Sequence, residues 1–370
     1  MPNNQYPDIR VINQVDSTIT RFATNSPLFI CVISYTDTSL IPGITAAGAK
    51  QDFVKFTPAA DMELLYYGCC KCIDKVPITP EGNPTPAIIT RAALQLADIP
   101  FQVVDAGSKI KPSIPYISFG IAPGYNIESG IAVDATDVNR AFEYGLILGK
   151  QLGKYNDLIV LGESIPGGTT TALGVLHALG IDAEFKVSSS MQTNPHHLKN
   201  RVVKQNLDKS KISFGELKNN PLKAVAFLGD PMMPSVAGIS EGVLAVGGRV
   251  LLAGGTQMAA VLAILKSLGL KMTELCIGTT VYVAYDYSSN LAALVNSISS
   301  EVPVFAADLH MENSTTRGIE AFAKGFVKDG AGAGGASIAA MLKSKGEIDG
   351  NILLKKVEKE YECISQSSSH

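Results

Sequence analysis

The run Asp157-Leu158-Ile159-Val160-Leu161 reads as a buried strand, and the residues after it constrain what the chain can fold into. Gly162-Glu163-Ser164-Ile165-Pro166-Gly167-Gly168-Thr169-Thr170-Thr171 is a glycine-rich turn, and residues 172–179 continue as a helix. Such a turn between strand and helix aims bare backbone N–H groups at an anion, and the helix dipole adds to the field. The register imitates a P-loop, with Gly162 and Gly167 five apart and Thr169 in the hydroxyl position. Gly168 occupies the slot where a P-loop carries its lysine. The pattern therefore predicts a phosphate cradle that does not hydrolyse ATP, with one acid, Glu163, inside it.

The same alternation recurs along the chain. Apolar runs at 28–34, 101–105, 157–161, 223–228, 249–253, 273–278 and 302–306 read as strands. Helical patterns cover 58–67, 86–97, 136–152, 169–180, 196–206, 234–246, 256–268, 289–299, 316–327, 335–344 and 350–362. Continuous Val/Ile/Leu strands alternating with helices predict an α/β fold, a Rossmann-like doubly wound parallel sheet covered on both faces. The mean hydropathy of +0.18 agrees with such a sheet. Ligands then bind beyond the carboxyl ends of the strands. The residues expected there are Gly162 and Glu163, Gly229 and Asp230, Gly254, Gly255 and Thr256, Gly278, Thr279 and Thr280, and Ala307, Asp308 and His310. Small and hydroxyl residues dominate, which suits a sugar phosphate held close to the backbone.

With 370 residues, the chain is long enough for one large α/β domain plus a smaller unit. Residues 28–345 are expected to form the main domain. Residues 1–27 and 346–370 are expected to pack as a small helical subdomain, with Ser365–His370 frayed. A net charge of −3 offers no basic surface for nucleic acid. The apolar stretch between Arg249 and Lys266 is too short to span a bilayer and is broken by Gly254, Gly255, Thr256 and Gln257. The polar start predicts no secretory signal, and the protein is expected to be cytoplasmic. Cys69 and Cys72 form a lone C-x-x-C, read as reduced, packed thiols. No histidine–carboxylate spacing stands out, so no metal is expected. The apolar helices around 234–268, with Met232, Met233 and Met258, exceed the need of one small core and predict a homodimer.

A second constellation lies at 325–336. Gly330, Gly332 and Gly335 satisfy G-x-G-x-x-G, but a helical pattern precedes them where a dinucleotide site needs a strand. The glycines instead present Asp329 to a ligand, or Asp329 caps the next helix.

These segments together resemble the nicotinate-nucleotide–dimethylbenzimidazole phosphoribosyltransferases, in a divergent archaeal and cyanobacterial branch. The turn at 161–170 is similar to that family's Gly-Glu-Met-Gly-Ile-Gly-Asn-Thr-Thr loop. Residues 251–260 are similar to its Gly-Phe-Ile-Ser-Thr-Ala-Ala segment, and 328–333 to its Gly-Glu-Gly-Thr-Gly-Ala segment. The resemblance covers about 28–345. It implies transfer of phosphoribose from nicotinate mononucleotide to an aromatic base, a benzimidazole or a purine, without a cofactor and in a homodimer. The product would be α-ribazole phosphate, the precursor of the cobamide lower ligand. The family's catalytic glutamate falls on Asp329, one methylene shorter, and its loop glutamate on Glu163. Its phosphate-holding lysine falls on Lys199. Its arginine before the catalytic glutamate has no match, since Phe326 and Val327 stand there, and Lys328 is the nearest cation. Gly162, Gly167, Gly168, Thr169, Thr170, Gly255, Thr256, Gly330 and Gly332 would hold the nucleotide, with Asp230, Asp308 and His310 as further candidates. The shortened acid and missing arginine also fit a non-catalytic nucleotide-binding protein of corrinoid metabolism. An NAD(P)-dependent oxidoreductase is a further alternative.

Overall fold

A computed structural model describes residues 5–48, 50–74 and 77–367. The polar start, Met1–Asn4, and residues 368–370 of the tail expected to fray lie outside the described residues.

Eight strands form one sheet: β1 (Ile9–Val11), β2 (Pro27–Ile33), β3 (Phe101–Asp105), β4 (Ile117–Ser118), β5 (Leu158–Ser164), β6 (Arg249–Ala253), β7 (Leu275–Thr280) and β8 (Val304–Ala307). Their order is β1-β8-β7-β6-β5-β2-β3-β4. Every pair is parallel except β1 with β8.

The helices in chain order are α1 (Thr57–Tyr67), α2 (Ala87–Leu96), α3 (Ala135–Leu152), α4 (Gly168–Ala178), α5 (His196–Ser210), α6 (Pro221–Leu228) and α7 (Met232–Ala245). They continue as α8 (Thr256–Ser267), α9 (Val281–Ala284), α10 (Leu291–Ile298), α11 (Arg317–Ala323), α12 (Ala333–Lys343) and α13 (Gly350–Ser367).

Strand alternation divides the core into two. Leu28, Ile30, Val32, Ile159, Leu161, Val250 and Leu252 face one apolar layer, with α4, α7 and α8 packed on it. Phe29, Cys31, Ile33, Leu158, Val160, Leu251 and Ala253 face the other, covered by α1, α2, α12 and α13. Because both faces are buried, the central strands read as unbroken apolar runs, as a doubly wound sheet requires.

From β2 the chain winds outward through β3 to β4, then returns to place β5 on β2's other side and winds the opposite way through β6, β7 and β8. The winding reverses between β2 and β5, and a crevice opens beyond their carboxyl ends at such a reversal.

Three expectations are corrected. Residues 223–228 form α6 and not a strand. Pro221 opens this helix with its φ already near the helical value, and six apolar residues without a period do not discriminate strand from buried helix. The amino-terminal segment is not purely helical, because Ile9–Val11 pairs antiparallel with β8 at Ile9↔Ala307 and Val11↔Phe305. At the other end, α13 packs across α2, with Leu353, Leu354 and Val357 in the core. Finally, Met232, Met233 and Met258 are buried within the single chain. Their apolar excess serves the wide sheet and is no ground for self-association.

Candidate active site

The cleft sits at the reversal between β2 and β5. Glu163 and Ser164, the last residues of β5, form part of its wall, as do Gly167, Gly168 and Thr169 from the turn into α4. Gly254, Gly255 and Thr256 enter it from the turn into α8, and Asp329 and Gly330 from the turn before α12. Its atom-free space is about 1030 Å³, counting solvent at the mouth.

The anion-binding potential lies at α4 and α8. Gly167 enters α4 at φ +82°, a left-handed conformation that glycine adopts without penalty. No side chain caps the first turn of either helix. At α4, Gly168 N donates to the Ile165 carbonyl at 3.4 Å and Thr170 N to the Gly167 carbonyl at 3.0 Å, and the positive ends of both helix dipoles lie at the cleft wall. Lys199 stands behind this wall, fully buried on α5. Its ammonium donates to Thr169 Oγ1 at 2.8 Å and to the Ser188 carbonyl at 2.7 Å. Burial, and then the nearby Lys328 charge, lowers its pKa to about 7.

Three carboxylates line the cleft, Glu163 and Asp61 buried and Asp329 half-buried. Asp329 Oδ2 accepts from the Thr279 hydroxyl at 2.8 Å, and its Oδ1 from Gly330 N at 2.8 Å and Gly334 N at 3.2 Å. The Thr280 backbone N–H also stabilises the charged carboxylate. Asp329 thus anchors the start of α12 while lining the cleft. Burial outweighs these hydrogen bonds and raises its pKa to about 6. Glu163 is raised further, to about 8, by burial and by the neighbouring Asp230 and Asp329 charges. At neutral pH Glu163 is mostly a protonated donor, whereas Asp329 is mostly an ionised acceptor. Asp61 was not anticipated. It projects from α1, accepts from Thr85 Oγ1 and Ser164 Oγ at 2.7 Å each, and is raised to about 6 by burial.

The fold therefore gathers Glu163, Gly167, Gly168, Thr169, Gly255, Thr256, Asp329 and Gly330 at one cleft. Other candidates fall elsewhere. Gly162 and Gly332 do not line it; a Cβ on Gly162 would stand 3.1 Å from the Gly332 Cα, so these glycines let β5 and the start of α12 touch. Thr170 is buried in α4, its hydroxyl without a protein partner. Asp230 caps α7 through Met232 N and Met233 N and accepts from Thr171 Oγ1 at 2.6 Å, below the cleft wall. Asp308 and His310 lie away from the cleft, where β8 meets the amino-terminal segment, and bond Arg10 and Asp8. Lys328 is turned from the cleft into a buried ion pair with Asp286 at 2.6 Å. That pairing holds the Asp286 carboxyl well below its ordinary range. The segment before Gly330 is α11 and a turn, so the dinucleotide-type glycines lack their strand; Gly335 packs on Leu251 and Ala253 of β6. Cys69, Cys70 and Cys72 are free thiols, with Glu63 accepting from Lys71 N and Cys72 N to order their loop.

No protein-family model matches the chain. Its fold is shared with the crystal structure of the nicotinate-nucleotide-dimethylbenzimidazole phosphoribosyltransferase from Thermus thermophilus. The TM-score is 0.61 over 90% of this chain and 83% of that one, at 14% identity. A structure of CobT from the same organism gives 0.61 over 91% and 89%, at 15% identity. The architecture is thus of the class that these phosphoribosyltransferases define. In sequence the chain is 44% identical over 320 residues to a UPF0284 protein of Methanothermobacter thermautotrophicus, covering 85% of this chain and 88% of the relative. A UPF0284 protein of Methanopyrus kandleri is 41% identical over 360 residues, covering 96% and 94%. The chain belongs to the UPF0284 family. Among the described residues, no helix is long and apolar enough to cross a membrane.

Proposed function

We propose that the protein is a phosphoribosyltransferase that moves phosphoribose from nicotinate mononucleotide to a nitrogen of an aromatic base of benzimidazole or purine type. The observation carrying this reading is the meeting, in one cleft, of two helix N-termini without side-chain caps and a half-buried carboxylate whose pKa is raised to about 6. The 5′-phosphate sits at the starts of α4 and α8, held by backbone N–H groups and the Thr169 and Thr256 hydroxyls, with Lys199 behind.

The reaction forms a bond from the azole nitrogen to C1′ and breaks the bond from C1′ to nicotinate. The bonding pair returns to the pyridinium ring and cancels its positive charge, so the leaving group needs no acid. The azole N–H proton goes to Asp329 Oδ2. A base with a pKa of about 6 is better matched to this task than an unperturbed aspartate. Protonated Glu163 donates a hydrogen bond to the sugar and keeps a second negative charge away from Asp329. The homodimer is retained in this proposal on the resemblance alone. Base-dependent release of nicotinate from the mononucleotide, followed by chromatography, tests the reading.

A further inference from the structure

Asp308, His310 and Glu312 follow β8 in the pattern Asp-x-His-x-Glu, away from the cleft. No metal was expected from this spacing, yet one donor atom from each side chain lies within 4.8 Å of the others. His310 Nδ1 is 3.4 Å from Asp308 Oδ1 and 3.7 Å from Glu312 Oε1. Such separations match the edges of a coordination shell with bonds of ~2.0–2.2 Å.

The far side of each group is already held. Asp308 Oδ2 accepts from Arg10 at 2.8 Å. Glu312 Oε2 accepts from the Tyr282 hydroxyl at 3.4 Å. His310 Nε2 faces Asp8 Oδ1 at 3.1 Å, and Asp8 Oδ2 accepts from Gly350 N at 2.9 Å. A carboxylate behind one ring nitrogen fixes the proton there and turns the other nitrogen's lone pair outward, the usual second partner of a metal-bound histidine. The charges also fall short of balance. Three carboxylates, those of Asp8, Asp308 and Glu312, meet one guanidinium, that of Arg10.

We propose that Asp308, His310 and Glu312 bind a divalent transition-metal ion, with Asp8 orienting His310 from behind. One imidazole and two carboxylates suit Zn²⁺ and neighbouring ions better than Mg²⁺ or Ca²⁺, which take oxygen donors. The Glu312 side chain is 55% exposed, so water completes the shell. The site joins three parts of the chain: Asp8 and Arg10 at β1, the loop after β8, and the first residue of α13. The ion therefore fastens both chain ends to the sheet and takes no part in chemistry at the cleft.

The test uses full-length protein stripped with a chelator. It is titrated with ZnCl₂ by calorimetry and with CoCl₂ by visible absorption. One ion should bind per chain with a Kd in the micromolar range or tighter, and Zn²⁺ should raise Tm while equimolar MgCl₂ does not. Glu312→Gln, at a mostly exposed position that does not endanger folding, and His310→Ala should each weaken binding at least ~10-fold and abolish the Tm rise. Asp8→Asn should weaken it by ~10–100-fold. Absence of saturable Zn²⁺ binding by the wild type overturns the proposal. Binding that Glu312→Gln and His310→Ala leave unchanged overturns it equally.

Discussion

The Lys199 ammonium donates to the Thr169 hydroxyl at 2.8 Å, which links a fully buried lysine to the cleft wall beside a helix start without a side-chain cap. With its pKa lowered to about 7, Lys199 is mostly neutral at pH 8. A phosphate dianion bound at α4 would favour the charged form, so binding should draw in a proton. Calorimetry of nicotinate mononucleotide at pH 8, in two buffers of different ionisation enthalpy, should show uptake of a large fraction of one proton. Lys199→Met should remove most of this uptake, leaving only the share from Glu163, and weaken binding at least ~10-fold, consistent with loss of a charge-assisted hydrogen bond. Uptake in Lys199→Met that is undiminished from wild type would place the titrating group elsewhere.

Two glycine substitutions should separate binding from folding. A Cβ on Gly168 would stand 2.6 Å from the Gln257 amide nitrogen, the movable end of a side chain. Gly168→Val should therefore fold, fill the cleft beside α4 and reduce mononucleotide affinity strongly. A Cβ on Gly332 would meet the Gly162 Cα and the Phe29 ring at 2.9 Å, on backbone already at φ +71°. Gly332→Ala should lower Tm by several degrees, the scale of a ~1–2 kcal/mol loss. Thermal melts and calorimetry on both variants check this pairing; equal Tm losses would contradict it.

Glu163 makes a pH-dependent demand on stability. Its folded pKa, about 8, lies above its ordinary value. The folded state thus holds the proton more tightly than the unfolded state does. The contribution is full below the unfolded pKa of ~4.3 and is lost as pH rises through about 8. Glu163→Gln carries no titrating group there. Its Tm relative to wild type should climb steadily from pH 5 to pH 9 and stay flat below pH 4. A constant difference across that window would show that Glu163 is not perturbed by its surroundings.

The anion turn was legible because strand, glycines and helix are contiguous between 157 and 179, so one window carries the whole signal. Asp329 was legible for the same local reason, through its glycines. Asp61 was not. It shares α1 with Glu63, two residues on, and nothing local distinguishes the acid facing the cleft from the one ordering the 71–72 loop. Asp308 and His310 failed as cleft residues for a topological reason. They do follow a parallel strand, but β8 lies three strands from β5, and strand order depends on crossovers that leave no mark in the sequence. Lys328 looked like a cleft cation until its partner Asp286, 42 residues away, was placed beside it.

Asp329→Asn keeps the shape and the acceptor oxygen but cannot take a proton. Loss of a general base typically costs ~100- to 10,000-fold, so kcat should fall within that range while mononucleotide affinity stays near wild type. In the wild type, kcat should rise with pH through about 6 as Asp329 ionises and fall through about 8 as Glu163 loses its proton. A pH–rate profile checks both limbs. If Asp329→Asn turns over at the wild-type rate, Asp329 is a helix cap and Glu163 becomes the better candidate base.

The most direct measurement mixes purified protein with nicotinate mononucleotide, alone and with each of a panel of benzimidazoles and purines, and follows free nicotinate and ribosylated base by chromatography. The expected result is nicotinate release that requires an added base, matched mole for mole by a new base–ribose phosphate, and reduced at least ~100-fold in Asp329→Asn. Tight binding of the mononucleotide with no release in the presence of any base would contradict the account and assign the cleft to a binding protein.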